Sequence, residues 1–199
     1  MSDSLKSSKA EINMSTMDVI YKRRAVRDYL PQAIDKMVIR TLLDAAVYAP
    51  TAIDEEPWSF AIIQNQNILD RLSESAKDLI RHGDKNSTEV KHLLPHANTP
   101  DYHAFYNAST LIVIYSKFQG QFVEADCWLA AENLMLAACS KGLGTCVIGS
   151  SVLALNTLEW KAELGIPAEM MAVVPIIIGL PAGETPPVPR KPPEIIVWK

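Results

Sequence analysis

The chain has 199 residues, 48% of them hydrophobic and 21% charged, with a formal net charge of -4. That is enough apolar material for one well-buried core and short for two full domains, and an acidic balance argues against general nucleic-acid binding, which needs a surplus of Lys and Arg. Three cysteines without the spacing of a zinc knuckle or a redox pair read as reduced thiols in a cytoplasmic setting.

Residues 1–12 are polar and read as a disordered tail ahead of a single domain over 13–199. They hold no apolar run of the kind a signal peptide needs. Ser15 or Thr16 can cap a helix that runs to Arg23, with Met17, Ile20 and Tyr21 at helical spacing. Asp35 caps a second, "KMVIRTLLDAAVYA", in which Val38, Leu42, Ala45 and Ala46 share a face and Pro50 follows the end. "WSFAII" reads as a short strand, and Asn67 or a neighbour opens the helix "ILDRLSESAKDLI", which stops near Gly83.

Residues 83–104 are polar and weakly periodic. His92 and His96 share the i, i+4 spacing of a metal-binding helix, yet Pro95 beside them disfavours a continuous helix, so a surface loop without metal is expected. "TLIVIY" is a buried-strand pattern, and "EADCWLAAENLMLAACSKG" is a long core helix, apolar on most of its circumference and capped by Gly142. "TCVIG" then starts a strand, "TLEWKAELG" a short helix ending at Gly165, and "AVVPIIIGL" another buried strand. A proline-rich arm over 181–199 ends in "PEIIVWK", which reads as a strand that either folds back on its own sheet or crosses to a partner's. No stretch is long and apolar enough to span a bilayer. The mixture lacks a regular βαβ alternation, so the expected class is α+β, helices packed on a small mixed or antiparallel sheet.

Three stretches carry chemistry. "YKRRAVRDY" packs Arg23, Arg24 and Arg27 together in an acidic protein, and arginine's planar fork suits a phosphate. "APTAIDEEPW" sets small residues before a strand, where backbone could approach a flat ligand. "GLGTCVIG" is a glycine-punctuated turn into a strand whose end, Ile148 and Gly149, could present backbone N–H groups. It has neither the GxGxxG nor the GxxxxGK[ST] spacing of nucleotide-binding loops.

In this order, with "ENLMLAACSKGLGTCVIG" and "IPAEMMAVVPIIIGLPAGETPPVPRKP" following, these motifs resemble the nitroreductase family of FMN-dependent oxidoreductases over residues 15–199. The resemblance implies a homodimer with exchanged C-terminal arms and FMN at its interface. It implies that Arg23, Arg24 and Arg27 hold the phosphate and ribityl chain, with Ala25 where serine is common, and that Arg190 reaches the same phosphate. It places Pro50, Thr51, Ala52, Asp54 and Glu56 of the opposite subunit against the isoalloxazine, and Ile148 and Gly149 near its N5 and O4.

Two features depart from the family. Asp54 and Glu56 stand where Asn and Gln are common, so a donor is replaced by a group that only accepts; facing the flavin, they would lower its reduction potential. The connection "SKFQGQFV" is short where broad-range members carry a helical lid, which implies an open flavin face. The implied activity is a ping-pong transfer of hydride from NADH or NADPH, through flavin N5, to a nitroaromatic or quinone, with no side chain as catalytic acid or base. Phe105, Tyr106, Phe118 and Phe122 are candidates to shape the acceptor site. The alternatives are a dehalogenase or activated-alkene reductase of the same family, or an FMN-binding protein without turnover.

Overall fold

Four strands among the described residues form one antiparallel sheet in the order β1-β2-β4-β3, where β1 is Trp58–Ile63, β2 Thr110–Ser116, β3 Gly144–Val147 and β4 Met171–Gly179. The structure, a computed structural model, describes residues 14–99 and 101–199; the polar stretch 1–12 expected as a tail lies outside them. Every residue of β2 is buried, as an interior strand covered on both faces must be, which explains its unbroken apolar run.

The period of two sorts that run onto two cores. Leu111, Val113 and Tyr115 face one side, where α3 (Gln66–His82) contributes Leu69, Leu72 and Ala76, and α6 (Val152–Leu155) and α7 (Leu158–Leu164) add Leu155 and Trp160. Ile112 and Ile114 face the other, against Ile39, Leu42 and Ala46 of α2 (Lys36–Ala46) and Ala130, Leu134 and Ala138 of α5 (Val123–Ser140). The sheet is therefore sandwiched between helices, as the α+β expectation required.

Caps explain the helix boundaries. Ser15 and Asp18 form a capping box at the start of α1 (Thr16–Lys22), Asp35 accepts from Met37 N–H at 2.7 Å to start α2, and Asn65 rather than Asn67 opens α3. Gly142 and Gly165, at φ 74 and 68, follow α5 and α7 in the left-handed conformation that closes a helix.

One expectation is corrected, and of two open readings one is excluded for the single chain. Residues 88–97 form helix α4 (Thr88–Ala97), running through Pro95. The ring removes one backbone donor near the helix end. Against that small loss, Ser87 caps the start, Val90 and Ala97 are buried, and the Arg81 guanidinium from α3 donates to the Ala97 carbonyl at 3.1 and 2.6 Å. The terminal "PEIIVWK" does not fold back as a strand on the chain's own sheet: residues 186–199 are all exposed and unpaired.

Segment 23–30 lies along the sheet's β3 edge, where two glycines make room for it. A Cβ on Gly144 would sit 2.8 Å from Val26, and one on Gly179 would sit 2.6 Å from the Tyr29 ring. Gly144→Ala is therefore expected to destabilise the protein by about 1–3 kcal/mol through overpacking, read as a lower midpoint in urea. Val26→Ala in the same chain should recover most of that loss, and additive losses in the double variant would show that the contact is not the cause.

Candidate functional site

The arginine-rich stretch is an extended ribbon laid beside β3. Helix α1 ends at Lys22, Arg23 turns extended, and Val26 N–H donates to Thr145 O at 3.0 Å. Further on, Leu30 N–H donates to Leu180 O at 2.8 Å and Ala182 N–H to Asp28 O at 3.0 Å, so the ribbon is stitched to β3 and to the segment leaving β4. Val26 and Tyr29 point into the core, and Tyr29 O–H donates to Val26 O at 2.7 Å. That leaves Ala25 and Arg27 facing outward.

The three arginines do different things. Arg23 pairs with Glu132 of α5 at 3.5 Å, and Arg24 curls back to donate to the Tyr21 and Arg23 carbonyls at 2.5 and 2.8 Å. Both line a hollow of about 180 Å³ with Lys22, Gly144, Thr145, Pro181 and Thr185. Arg27 is exposed, has no carboxylate within 4 Å among the described residues, and sits 5.9 Å over the Tyr106 ring. It opens on a larger cleft of about 390 Å³, together with His92, Tyr102, Tyr106, Ile148, Gly149 and Ser150.

The backbone donors at the end of β3 are not equivalent. Ile148 N–H is already spent on Pro175 O at 2.9 Å, which corrects the expectation that it is offered to a ligand. Gly149 opens the 3-10 turn Gly149–Ser151, where the first N–H has no acceptor within the turn, so this donor is available to the cleft.

The opposite wall is held by α3. His103 takes Phe105 N–H on Nδ1 at 3.2 Å and so donates from Nε2 to Asp70, 3.1 Å away. Ser73 Oγ accepts from Ala104 N–H at 2.8 Å, and the buried Lys77 ammonium donates to Tyr102 O at 3.0 Å. One row of α3 side chains thus fixes the loop whose Tyr102 and Tyr106 rings meet edge-on at 5.8 Å. Burial first, then the neighbouring Tyr106, pushes the Tyr102 phenol up to about 12, so it stays a neutral donor. Burial also raises the thiols of Cys127, Cys139 and Cys146, which leaves each of them protonated at neutral pH.

The remaining candidates lie apart. Pro50, Thr51, Ala52, Asp54 and Glu56 lead into β1, at the edge of the sheet opposite β3. Three strand spacings, roughly 14 Å, separate those edges. Arg190 is on the exposed arm. Among the aromatic candidates only Tyr106 lines the cleft; Phe118 and Phe122 are exposed on the β2–α5 connection. Phe105 has no exposed surface and packs in the core with Leu72 and Leu155, so its ring is not offered to any ligand. His92, Tyr102 and Ser150 line the cleft without a sequence signal: Pro95 hides the helix that carries His92, and nothing local to a sequence marks a tyrosine or serine as cleft-lining.

A profile described as the Nitroreductase family matches residues 20–179. A protein of Archaeoglobus fulgidus, provisionally named NADH dehydrogenase/NAD(P)H nitroreductase, is 28% identical, the match covering 84% of this chain and 86% of that one. A nitroreductase of Bacteroides fragilis, solved with bound FMN, superposes with a TM-score of 0.82 at 25% identity, over 94% of this chain and 100% of that one. An iodotyrosine deiodinase solved with FMN and 3-iodo-L-tyrosine shares the fold, with a TM-score of 0.72 at 23% identity over 92% of this chain and 98% of that one.

Proposed function

The chain belongs to the nitroreductase family, and on that premise we propose that it is a homodimeric, FMN-dependent oxidoreductase that carries reducing equivalents from NADH or NADPH to a nitroaromatic or quinone by a ping-pong cycle. The observation that carries this reading is the cleft where Arg27, the Gly149 N–H and Tyr106 converge, continuous in sequence with the basic hollow of Lys22, Arg23 and Arg24. The residues present fit the cofactor. No carboxylate lines the hollow, which suits a phosphate, and a guanidinium and a backbone N–H meet in a cleft wide enough to admit a flat ring system.

FMN, when bound, supplies the hydride chemistry that no side chain of this fold offers. The chain's own work is to bind and orient. Arg23, with Arg190 from the arm, would hold the phosphate; Arg27 would donate to the ring system's carbonyl edge, and Gly149 N–H would donate from the end of β3. Ala25 leaves the ribbon backbone uncovered beside them. Tyr102 and Tyr106 would wall the acceptor's place, with Phe118 and Phe122 of a second copy as further candidates. Both Asp54 and Glu56 are exposed in this chain; turned toward a flavin, they would lower its reduction potential.

A second copy is needed because Pro50–Glu56 and Gly149 occupy opposite sheet edges. Trp128 and Leu129 on α5, Ile53, Tyr48, and Met17, Ile20 and Tyr21 of α1 are large apolar residues left exposed in the single chain, as contact with such a partner would require. The arm fits the same picture. At about 3.1 Å per residue, the stretch 181–193 spans roughly 40 Å, enough to carry Ile195–Trp198 onto the open β1 edge of the partner. We read 13–199 as one domain with this arm as its extension. Among the described residues no helix is long and apolar enough to cross a membrane.

Anaerobic titration tests the proposal. The purified protein should show a flavin band that bleaches on stepwise NADH or NADPH and returns on adding a nitroaromatic or quinone. A haloaromatic or an activated alkene as the better acceptor would move it to another reductase of the family. A flavin that dithionite reduces and nicotinamide does not would leave a binding protein without turnover.

A further inference from the structure

The segment after Pro50 holds an unusual backbone. Ile53, Asp54 and Glu56 have φ of 50, 58 and 44, in the left-handed region. For a β-branched residue such as Ile53 this is a true outlier, and the residue is 84% exposed, so little packing within the chain rewards it. A conformation of this kind persists only where its surroundings impose it.

Two residues hold the main chain of this segment. Asp126, in the first turn of α5 and 5% exposed, takes the Ala52 N–H on both carboxylate oxygens at 3.3 Å, from 74 positions away. At the other end, Lys117 donates from Nζ to the Glu56 carbonyl at 3.0 Å and from its backbone N–H to Pro57 O at 2.8 Å. Neither residue lines the cleft or the hollow. Both grip the main chain, one just ahead of the left-handed residues and the other at the last of them and at the residue that follows. The carboxylate is also nearly spent of solvent, with a single protein donor among the described residues, so its fit is to that one loop.

We infer that Asp126 and Lys117 are positioning residues that preform residues 52–56 for contact with the cofactor bound by a second copy. The inference rests on the proposed function for what the loop touches. Its physical content is that a loop already held in its binding shape loses little conformational entropy on contact, whereas a released loop relaxes out of the left-handed region and must be reordered at each binding event.

The test uses full-length apoprotein titrated with FMN, read by quenching of flavin fluorescence, with the visible circular dichroism of the bound flavin and the dimer's sedimentation recorded beside it. Asp126→Ala should weaken FMN binding at least about tenfold, by loss of a buried charge-assisted hydrogen bond, and alter the flavin dichroism while the protein sediments as a dimer. Asp126→Asn, which still presents an oxygen to Ala52, should recover part of the affinity, and Lys117→Met should weaken it in the same sense. Glu124→Ala, an exposed carboxylate in the same helix turn, serves as the control and should leave the affinity unchanged. Affinity within twofold of wild type in Asp126→Ala overturns the inference, as does a loss matched by dimer dissociation. If Asp126→Ala does not fold, Asp126→Asn and Lys117→Met decide by the same readouts. A wild-type chain that takes up no FMN would instead bring down the proposed function, and this inference with it.

Discussion

A chain ending at Thr185 is expected to sediment as a monomer and to bind FMN at least about a hundredfold more weakly, which takes a site held at about ten times its dissociation constant down to roughly one-tenth occupancy. Every residue removed, 186–199, is exposed in the single chain, so the core and the stitch between Ala182 N–H and Asp28 O survive the cut. Far-ultraviolet dichroism should therefore be unchanged, while the cut removes Ile195, Ile196, Val197 and Trp198, from 58% to 93% exposed, the residues proposed to reach a partner. Unfolding should become independent of protein concentration, as it must when association no longer contributes to stability. A truncated chain that remains a dimer with its flavin would show that the arm is a loose tail, and the partner contact would then rest on α5 and α1 alone.

The second large effect concerns the phosphate. Arg23→Ala and Arg190→Ala each remove a guanidinium whose charge-assisted hydrogen bonds are worth about 1.5–3 kcal/mol. Each single variant should weaken FMN binding by about 10- to 100-fold, and the double variant should release the flavin on gel filtration. Riboflavin, which lacks the phosphate, separates this effect from general damage to the site. Its affinity should be nearly the same in wild type and variants. The Arg23 variant also loses its ion pair with the half-exposed Glu132, but an exposed pair of that kind contributes about 1 kcal/mol or less to stability. Retention of FMN in the double variant, with the melting temperature preserved, would move the phosphate to Lys22 and Arg24.

Much of the fold was legible because its signals are local. Asp35 before "KMVIRTLL", the run "TLIVIY" at 110–115, and Gly165 after "EWKAEL" each report a cap, a doubly covered strand or a left-handed stop through residues close to one another in the chain. Pro95 misled for the complementary reason. Its local cost is real, but Arg81, 14 positions earlier in sequence, reaches across from α3 to the last carbonyl of α4, and a distant donor cannot be seen in a window of ten residues. Phe105 misled in the same way: an aromatic just ahead of a strand looks the same whether it points into a core or a cleft, and only the packing of Leu72 and Leu155 around it decides.

For the site, order and type of residues were enough to recognise the family, because a cluster of arginines, a small-residue loop and a glycine turn in fixed succession constrain one another even when each is weak. What the amino-acid sequence determined by itself was the set of elements and the chemistry available: guanidinium groups for an anion, apolar runs for a doubly covered sheet, and prolines for an extended arm. Which donors remain available was decided only in three dimensions. Ile148 N–H is consumed by Pro175 across the sheet while the next N–H is not, Arg24 turns onto its own backbone while Arg27 faces the cleft, and Asp126 lies under a loop 74 residues away. Hydrogen-bond capacity is finite and is allotted between residues far apart in the chain, so the balance left over for a ligand is a property of the tertiary structure.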